Sequence, residues 1–163
     1  MEHKTHQLLI IAKNTNGIVA RIMSLFNRRG YFVKKMTAGH TNIDGYTRLT
    51  LTVEGDERIL EQIKNQVHKI IEVTRVKVFP QSGVIRREMM LIKVRSDNET
   101  RPHIIQIAEI YRGNVLDVGP NSVSIEITGD EEKLSGFVEM MDSFGVLEMA
   151  KTGVLAMSRG EKM

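Results

Sequence analysis

The first 79 residues carry apolar patterns that alternate between strand and helix periodicity. "HQLLIIA" is a short continuous apolar run, typical of a buried strand, whereas from Ile18 to Arg29 apolar residues recur every three or four positions and stop before Gly30. "YTRLTLTVE" alternates apolar and polar residues and follows the turn sequence "TNIDG", which predicts a hairpin. The patterns predict a β-α-β-β-α-β order, with strands at 6–12, 31–40, 46–54 and 72–79 and helices at 18–29 and 56–71.

The same order restarts after "PQSG". Both halves have an Arg-Gly pair after the first helix, at 29–30 and 112–113, and both have a Gly-Asp-Glu start before the second helix, in "EGDERIL" and "TGDEEKL". We therefore predict an α+β fold of two tandem ferredoxin-like βαββαβ units. Units of this size bury little core, which favours pairing between units or between chains, and we expect a homodimer. The predicted boundaries are 1–79 for the first domain, 80–86 for a linker and 87–163 for the second domain.

Composition narrows the class of protein. The 163 residues include no cysteine, so disulfides and cysteine-ligated metals are excluded, and no apolar run approaches the roughly 18 residues that span a bilayer. We expect a cytoplasmic protein without a membrane partner. Residues 1–79 hold 13 Lys and Arg against 7 Asp and Glu, and the remainder holds 10 against 13, which also favours two units.

The chain shows none of the common catalytic or nucleic-acid-binding patterns. Its five histidines have no metal-ligand spacing, and no nucleophile elbow, Walker loop or dinucleotide fingerprint occurs. RNA-recognition modules share the β-α-β-β-α-β order, but their third strand carries stacking aromatics where "YTRLTLTVE" has Thr and Leu. We expect no metal site, no catalytic residue and no nucleic-acid partner.

The loop "NTNG", Asn14 to Gly17, has two interpretations. Asn14 or Asn16 could cap the following helix. A cap needs only one such residue, however, and free helix N–H groups behind a glycine also suit a bound carboxylate. The residue types leave both interpretations open.

Longer stretches resemble a known family. "AKNTNGIVARIMSLFNRRGYFVKKMTAGHT" with "GDERILEQIKNQVHKIIEVTRVKV" resembles the ACT domain of the small, regulatory subunit of acetolactate synthase (acetohydroxyacid synthase). "VIRREMMLIKV", "AEIYRGNVLDVGPNSVSIEITGDEEKL" and "LEMAKTGVLAMSRG" extend the resemblance over nearly the whole chain. The resemblance implies an N-terminal ACT domain followed by a C-terminal ferredoxin-like domain.

The resemblance also implies a function. Such a chain is not catalytic itself: it binds and activates the large catalytic subunit, which holds thiamine diphosphate, magnesium and FAD and joins pyruvate units into acetolactate. It also mediates feedback inhibition by valine or another branched-chain amino acid. The effector lies between two ACT domains of a homodimer, and the family pattern assigns it to Asn14, Gly17, Ile18 and Val19 of one chain. The facing chain supplies the asparagine of an "RGYN" segment, where this sequence has Phe32.

Other functions remain as alternatives. A stand-alone ACT-type amino-acid sensor would need no catalytic partner. An acylphosphatase-like hydrolase would need an arginine in the first loop, which offers only Lys13, and a transcription regulator would need a helix-turn-helix unit for which no residues remain.

Overall fold

The computed structural model describes residues 5–160, and their helices and strands follow the predicted order with one strand added at the end. The first βαββαβ set comprises β1 (Thr5–Lys13), α1 (Ile18–Arg29), β2 (Val33–His40), β3 (Tyr46–Glu54), α2 (Glu57–Val67) and β4 (Val73–Val78). The second set comprises β5 (Val84–Arg95), α3 (Arg101–Ile110), β6 (Asn114–Val118), β7 (Ser122–Gly129), α4 (Glu131–Asp142) and β8 (Val146–Lys151), followed by β9 (Leu155–Ser158). The predicted fold class, two tandem ferredoxin-like units, is confirmed.

The first sheet has the strand order β2-β3-β1-β4, so β2 and β4 form its edges. Successive side chains of a strand point to opposite faces. Leu8, Ile10 and Ala12 of β1 therefore share one face, where they are fully buried in a core with residues of α1 and α2. This packing explains why the apolar run of β1 is continuous: both faces of the strand are covered.

The second face of β1 is covered by the C-terminal segment. Leu9 packs in a separate buried cluster with Phe79, Val154 and Ala156. The strand β9 pairs with β5, and the Arg159 amide donates a hydrogen bond of 2.9 Å to the Gly83 carbonyl. The sequence pattern did not predict β9, because a four-residue strand gains its stability from distant partners rather than from its own periodicity.

Residues therefore group differently from the predicted domain boundaries. One compact unit comprises the chain up to Ile85 together with the segment from Gly153 on, and the other comprises Arg86 to Thr152. The stretch from Gly153, which we assigned to the second domain, packs with the first because Val154 and Ala156 bury apolar surface there. The predicted linker 80–86 is also shorter in the structure, since β5 begins at Val84.

The second unit repeats the architecture with the strand order β6-β7-β5-β8. One face of its sheet packs against α3 and α4 in a core of eleven buried residues, Met90, Ile92, Val94, Ile104, Ala108, Val123, Ile125, Ile127, Leu134, Phe137 and Met141. Within residues 5–160, no helix is both long and apolar enough to cross a membrane.

Candidate functional site

The loop between β1 and α1 is held at its start by backbone hydrogen bonds to two neighbouring segments. The Lys13 amide donates to the Glu72 carbonyl and the Asn14 amide donates to the Gly45 carbonyl, each at 2.8 Å. The side chains from Asn14 to Asn16 are exposed. The loop thus has a fixed backbone and leaves its polar side chains available to solvent or to a ligand.

The start of α1 differs from our capping prediction. Gly17 occupies the N-cap in the left-handed region, with φ 78°, and no side chain accepts a hydrogen bond there. The Ile18 amide instead donates to the Thr15 carbonyl at 3.2 Å. The interpretation that Asn14 or Asn16 caps the helix is wrong, because the left-handed turn places Gly17, which has no side chain, at the N-cap.

Two backbone N–H groups at the start of α1 have no hydrogen-bond acceptor among the described residues 5–160. The amides of Val19 and Ala20 belong to the first turn, where an α-helix has no acceptor of its own to offer. No acidic residue lies in that turn, and a Cβ added at Gly17 would meet nothing within 4 Å. Open space, unpaired helical amides and the positive end of the helix dipole are the features that bind a carboxylate.

The two apolar residues of the predicted site lie in different environments. The Ile18 side chain is 2% exposed and belongs to the core beneath the sheet, so it can offer a ligand only its backbone. Val19 is partly buried at the edge of the same cluster. Of the two, Val19 is the side chain that a small apolar ligand could contact.

Phe32 lies far from this loop within one chain. It precedes β2, and its side chain is 62% exposed. Both β1 and β2 pair antiparallel with β3, and Val33 aligns through Val53 with His6 near the start of β1. Asn14 follows the other end of β1, eight positions on, which is roughly 25 Å at the rise of a strand. One chain therefore does not bring Phe32 and Asn14 together.

The edge strand β2 is a feature that the sequence patterns did not single out. Among the strands within residues 5–160 it pairs with β3 alone, and its side chains alternate between partly buried and exposed from Val33 to Ala38. Met36 on this strand is 41% exposed. An edge strand presents backbone N–H and C=O groups that another strand can pair with. The β-α-β-β-α-β order could have predicted this edge, since it places the second strand at the side of the sheet.

The arginine in the first turns of α1 is paired. Arg21, one turn into α1, forms an ion pair and hydrogen bond with the Glu72 side chain, and this bond holds the pKa of the Glu72 carboxyl below its usual range. In the part of the chain that the structure describes, no group of three or more His, Asp or Glu residues could hold a metal ion.

Comparison with known proteins identifies the family. The sequence model described as the ACT domain matches residues 14–76, and that described as the small subunit of acetolactate synthase matches residues 87–160. The chain is 38% identical to the probable acetolactate synthase small subunit of Methanothermobacter thermautotrophicus, over 99% of this chain and 97% of that protein. The chain belongs to the acetolactate synthase small-subunit family. The Archaeoglobus fulgidus family member is 40% identical, over 96% of this chain and 98% of that protein.

A solved family member has the same fold. The crystal structure of the acetolactate synthase small subunit of Thermotoga maritima is 36% identical in sequence and superposes with a TM-score of 0.92 over 98% of this chain and 99% of that chain. The resemblance drawn from the sequence is thus confirmed at the level of the family. Membership in the acetolactate synthase small-subunit family supports a regulatory-subunit role.

Proposed function

We propose that this chain is the regulatory subunit of an acetolactate synthase, which binds and activates a separate catalytic subunit and transmits feedback inhibition by valine or another branched-chain amino acid. The observation that carries this proposal is the match to family members over nearly the full length of both chains. On this proposal, thiamine diphosphate, magnesium and FAD are bound by the catalytic partner. The enzyme acts in the biosynthesis of isoleucine, leucine and valine. The chain catalyses no step alone.

The effector site is proposed to form between two copies. Phe32 and Asn14 lie at opposite ends of one sheet, so any site that uses both needs two chains. If two β2 edges pair antiparallel about a two-fold axis, the start of one β2 lies beside the end of the other. That end leads into the turn whose Gly45 carbonyl accepts the Asn14 amide. Edge pairing would therefore bring Phe32 of one copy to the loop of the other.

The loop offers matching chemistry for an amino acid. The Val19 and Ala20 amides would donate hydrogen bonds to the carboxylate of the ligand, and the Asn14 side-chain carbonyl would accept one from its ammonium group. The Val19 side chain would contact the apolar side chain of the ligand. Two or three hydrogen bonds to charged groups, at about 1.5–3 kcal/mol each, sum to about 3–9 kcal/mol before the cost of immobilisation, against about 4 kcal/mol for a millimolar and about 8 kcal/mol for a micromolar dissociation constant. This range suits a metabolite sensor.

Phe32 should weaken this site. The family pattern has an asparagine here, whose amide could bond the polar end of the ligand, whereas a phenyl ring cannot and fills more space. Calorimetric titration should give weak valine binding for this protein and at least tenfold tighter binding for Phe32→Asn, the gain of about one charged hydrogen bond. The control is Leu155→Asn, which replaces a similarly exposed apolar residue outside the site. Micromolar valine binding by the unmodified protein would contradict this role of Phe32.

The partner is tested by reconstitution. The protein is mixed with the catalytic subunit from the same organism, and acetolactate formation is measured with and without valine. We expect the rate to rise on addition of this chain and to fall again when valine is added, with a larger fall for Phe32→Asn. Valine binding without any stimulation would favour the stand-alone amino-acid sensor. Light scattering should give twice the chain mass of 18.5 kDa for the homodimer.

A further inference from the structure

The outer face of the first sheet, opposite α1 and α2, holds a cavity of about 560 Å³. Its floor is apolar and includes Leu9, Ile11 and Phe79, and residues of β9, among them Met157 and Ser158, form one side. The volume lies within the roughly 300–1,000 Å³ typical of small-molecule sites. All residues that line it belong to the first unit.

Three cationic side chains line the same cavity. The strand register places Arg48 of β3 and Arg75 of β4 opposite Ile11, on either side of β1, and it places Lys77 opposite Leu9. Residues directly opposite each other across strands share a face. The Cα atoms of the two arginines therefore lie about 10 Å apart, two strand spacings, with Ile11 between them.

These cations have no acidic partner in the described residues 5–160. The ion pairs there involve other lysines and arginines. Arg48 donates to the Ala156 carbonyl, and Lys77 Nζ donates to Ser158 Oγ at 2.9 Å and lies 5.7 Å from the centre of the Phe79 ring. Neutral acceptors leave the positive charges uncompensated.

Burial makes this arrangement costly for Arg48. Loss of solvent lowers the pKa of its guanidinium, although an arginine stays charged at neutral pH. A partly desolvated cation without a counter-charge favours binding of an anion. The hollow beside α1 contrasts with it, because Arg21 there is already paired with Glu72.

We propose that this cavity binds a small organic anion, with a phosphate or carboxylate head between Arg48, Arg75 and Lys77 and an apolar or aromatic body on Leu9, Ile11 and Phe79. Arginine suits both head groups because its planar fork donates two parallel hydrogen bonds. The cavity shares no residue with Asn14, Gly17, Ile18, Val19 or Phe32, so the proposal does not depend on the effector site.

Calorimetric titration with four probes tests the two parts of the ligand. Phenyl phosphate and benzoate carry both a ring and an anionic head, inorganic phosphate lacks the ring, and benzyl alcohol lacks the charge. At low ionic strength, we expect phenyl phosphate or benzoate to bind with a dissociation constant below about 1 mM, and the better of the two identifies the preferred head. Inorganic phosphate and benzyl alcohol should bind at least tenfold more weakly. Equal binding of all four, or none by the two ring anions up to about 10 mM, would overturn the proposal.

A matched pair of double variants locates the site. Arg75→Met with Lys77→Met removes two cavity charges and keeps their apolar stems, whereas Arg28→Met with Lys69→Met removes two charges from the hollow beside α1. The first pair should weaken the better probe at least tenfold, and the second pair less than threefold. Equal losses would reduce the effect to net charge and refute the site.

A second measurement uses the unmodified protein, so its result does not depend on whether a variant folds. In the unmodified protein, the better probe should shift the NMR amide signals of Ile11 and Lys77. Shifts confined to α1 or to residues 86–152 would place the probe elsewhere and overturn the proposal.

Discussion

The four helices in residues 5–160 begin in two different ways. At α2 the Asp56 side chain accepts from the Ile59 amide at 2.8 Å, and at α4 the Asp130 side chain accepts from the Lys133 amide at 3.0 Å. At α3 the N-cap Thr100 makes no side-chain cap bond, but in the turn before the helix the Asp97 side chain accepts from the Thr100 amide at 2.7 Å. At α1 a glycine stands in the N-cap, and no side chain takes this part.

The difference separates a structural helix start from an available one. An aspartate accepts from a backbone amide and places a negative charge at the positive helix end, as the cap of α2 and α4 or in the turn before α3, so these three starts have little to offer an anion. The start of α1 lacks both the acceptor and the charge, at some cost in stability. In a chain that repeats one βαββαβ pattern, this exception supports the proposal that the effector binds at the start of α1.

The strongest test of this difference is to place a carboxylate at the N-cap of α1. Gly17→Asp should weaken valine binding at least tenfold, because its side chain competes for the amides and repels the ligand's carboxylate. The titration is best made in the Phe32→Asn background, where tighter binding is expected. Any residue with a side chain costs about 1 kcal/mol of stability in this left-handed conformation, so the control variant must carry a side chain at position 17 as well.

Gly17→Asn provides that control. Asparagine tolerates the left-handed region and has nearly the same shape as aspartate but no charge. It should lose clearly less valine affinity than the aspartate variant. Equal affinity in the two variants would show that no carboxylate binds at this helix end.

The second prediction concerns stability. Asp56→Ala and Asp130→Ala should each lower the free energy of unfolding by about 1 kcal/mol, because each removes a cap and leaves an amide unsatisfied. Asn16→Ala should change it by less than about 0.5 kcal/mol, since its side chain caps nothing. Urea unfolding followed by circular dichroism measures all three. A loss at Asn16 as large as at the aspartates would mean that α1 is capped in solution after all.

The sequence predicted the helices and strands well where periodicity is strong. The strand from Tyr46 to Glu54 and the helix from Ile18 to Arg29 have the predicted bounds, because alternating and helical apolar patterns and the Gly30 stop signal are local properties. The aspartate starts of α2 and α4 were also predicted from "GDE". The α2 helix ends at Val67 rather than at residue 71, since a helix end depends on the turn that follows.

Long-range features escaped prediction for a physical reason. The packing of Val154 and Ala156 against Leu9 depends on where a distant segment returns, which no local pattern records. Gly153 illustrates this: a Cβ there would come within 2.7 Å of the Met36 carbonyl oxygen, a contact between residues far apart in sequence. The loop from Asn14 to Gly17 was recognised as a candidate site, but its uncapped geometry depends on the backbone at Gly17. The pairing of that loop with Phe32 stays a prediction.

The smallest expected effect is a difference in how the starts of α3 and α1 respond to acidic pH. Hydrogen bonds from the Thr100 amide and hydroxyl hold the pKa of the Asp97 carboxyl below its usual range. A lowered pKa in the folded state means that the carboxylate contributes stability above its unfolded value of about 3.9, and that this contribution is lost as the pH falls through the folded pKa. Acidification should therefore loosen the start of α3.

The start of α1 should not respond in this way, because it has no carboxylate cap to protonate. In an NMR pH titration, the Thr100 amide signal should follow the Asp97 titration, while the Ile18 amide signal moves much less. Thr100→Val removes the hydroxyl donor and should raise the pKa of Asp97 toward its usual value. If both helix starts shift together with one midpoint, the acid response is global unfolding, and the distinction between capped and uncapped starts does not govern it.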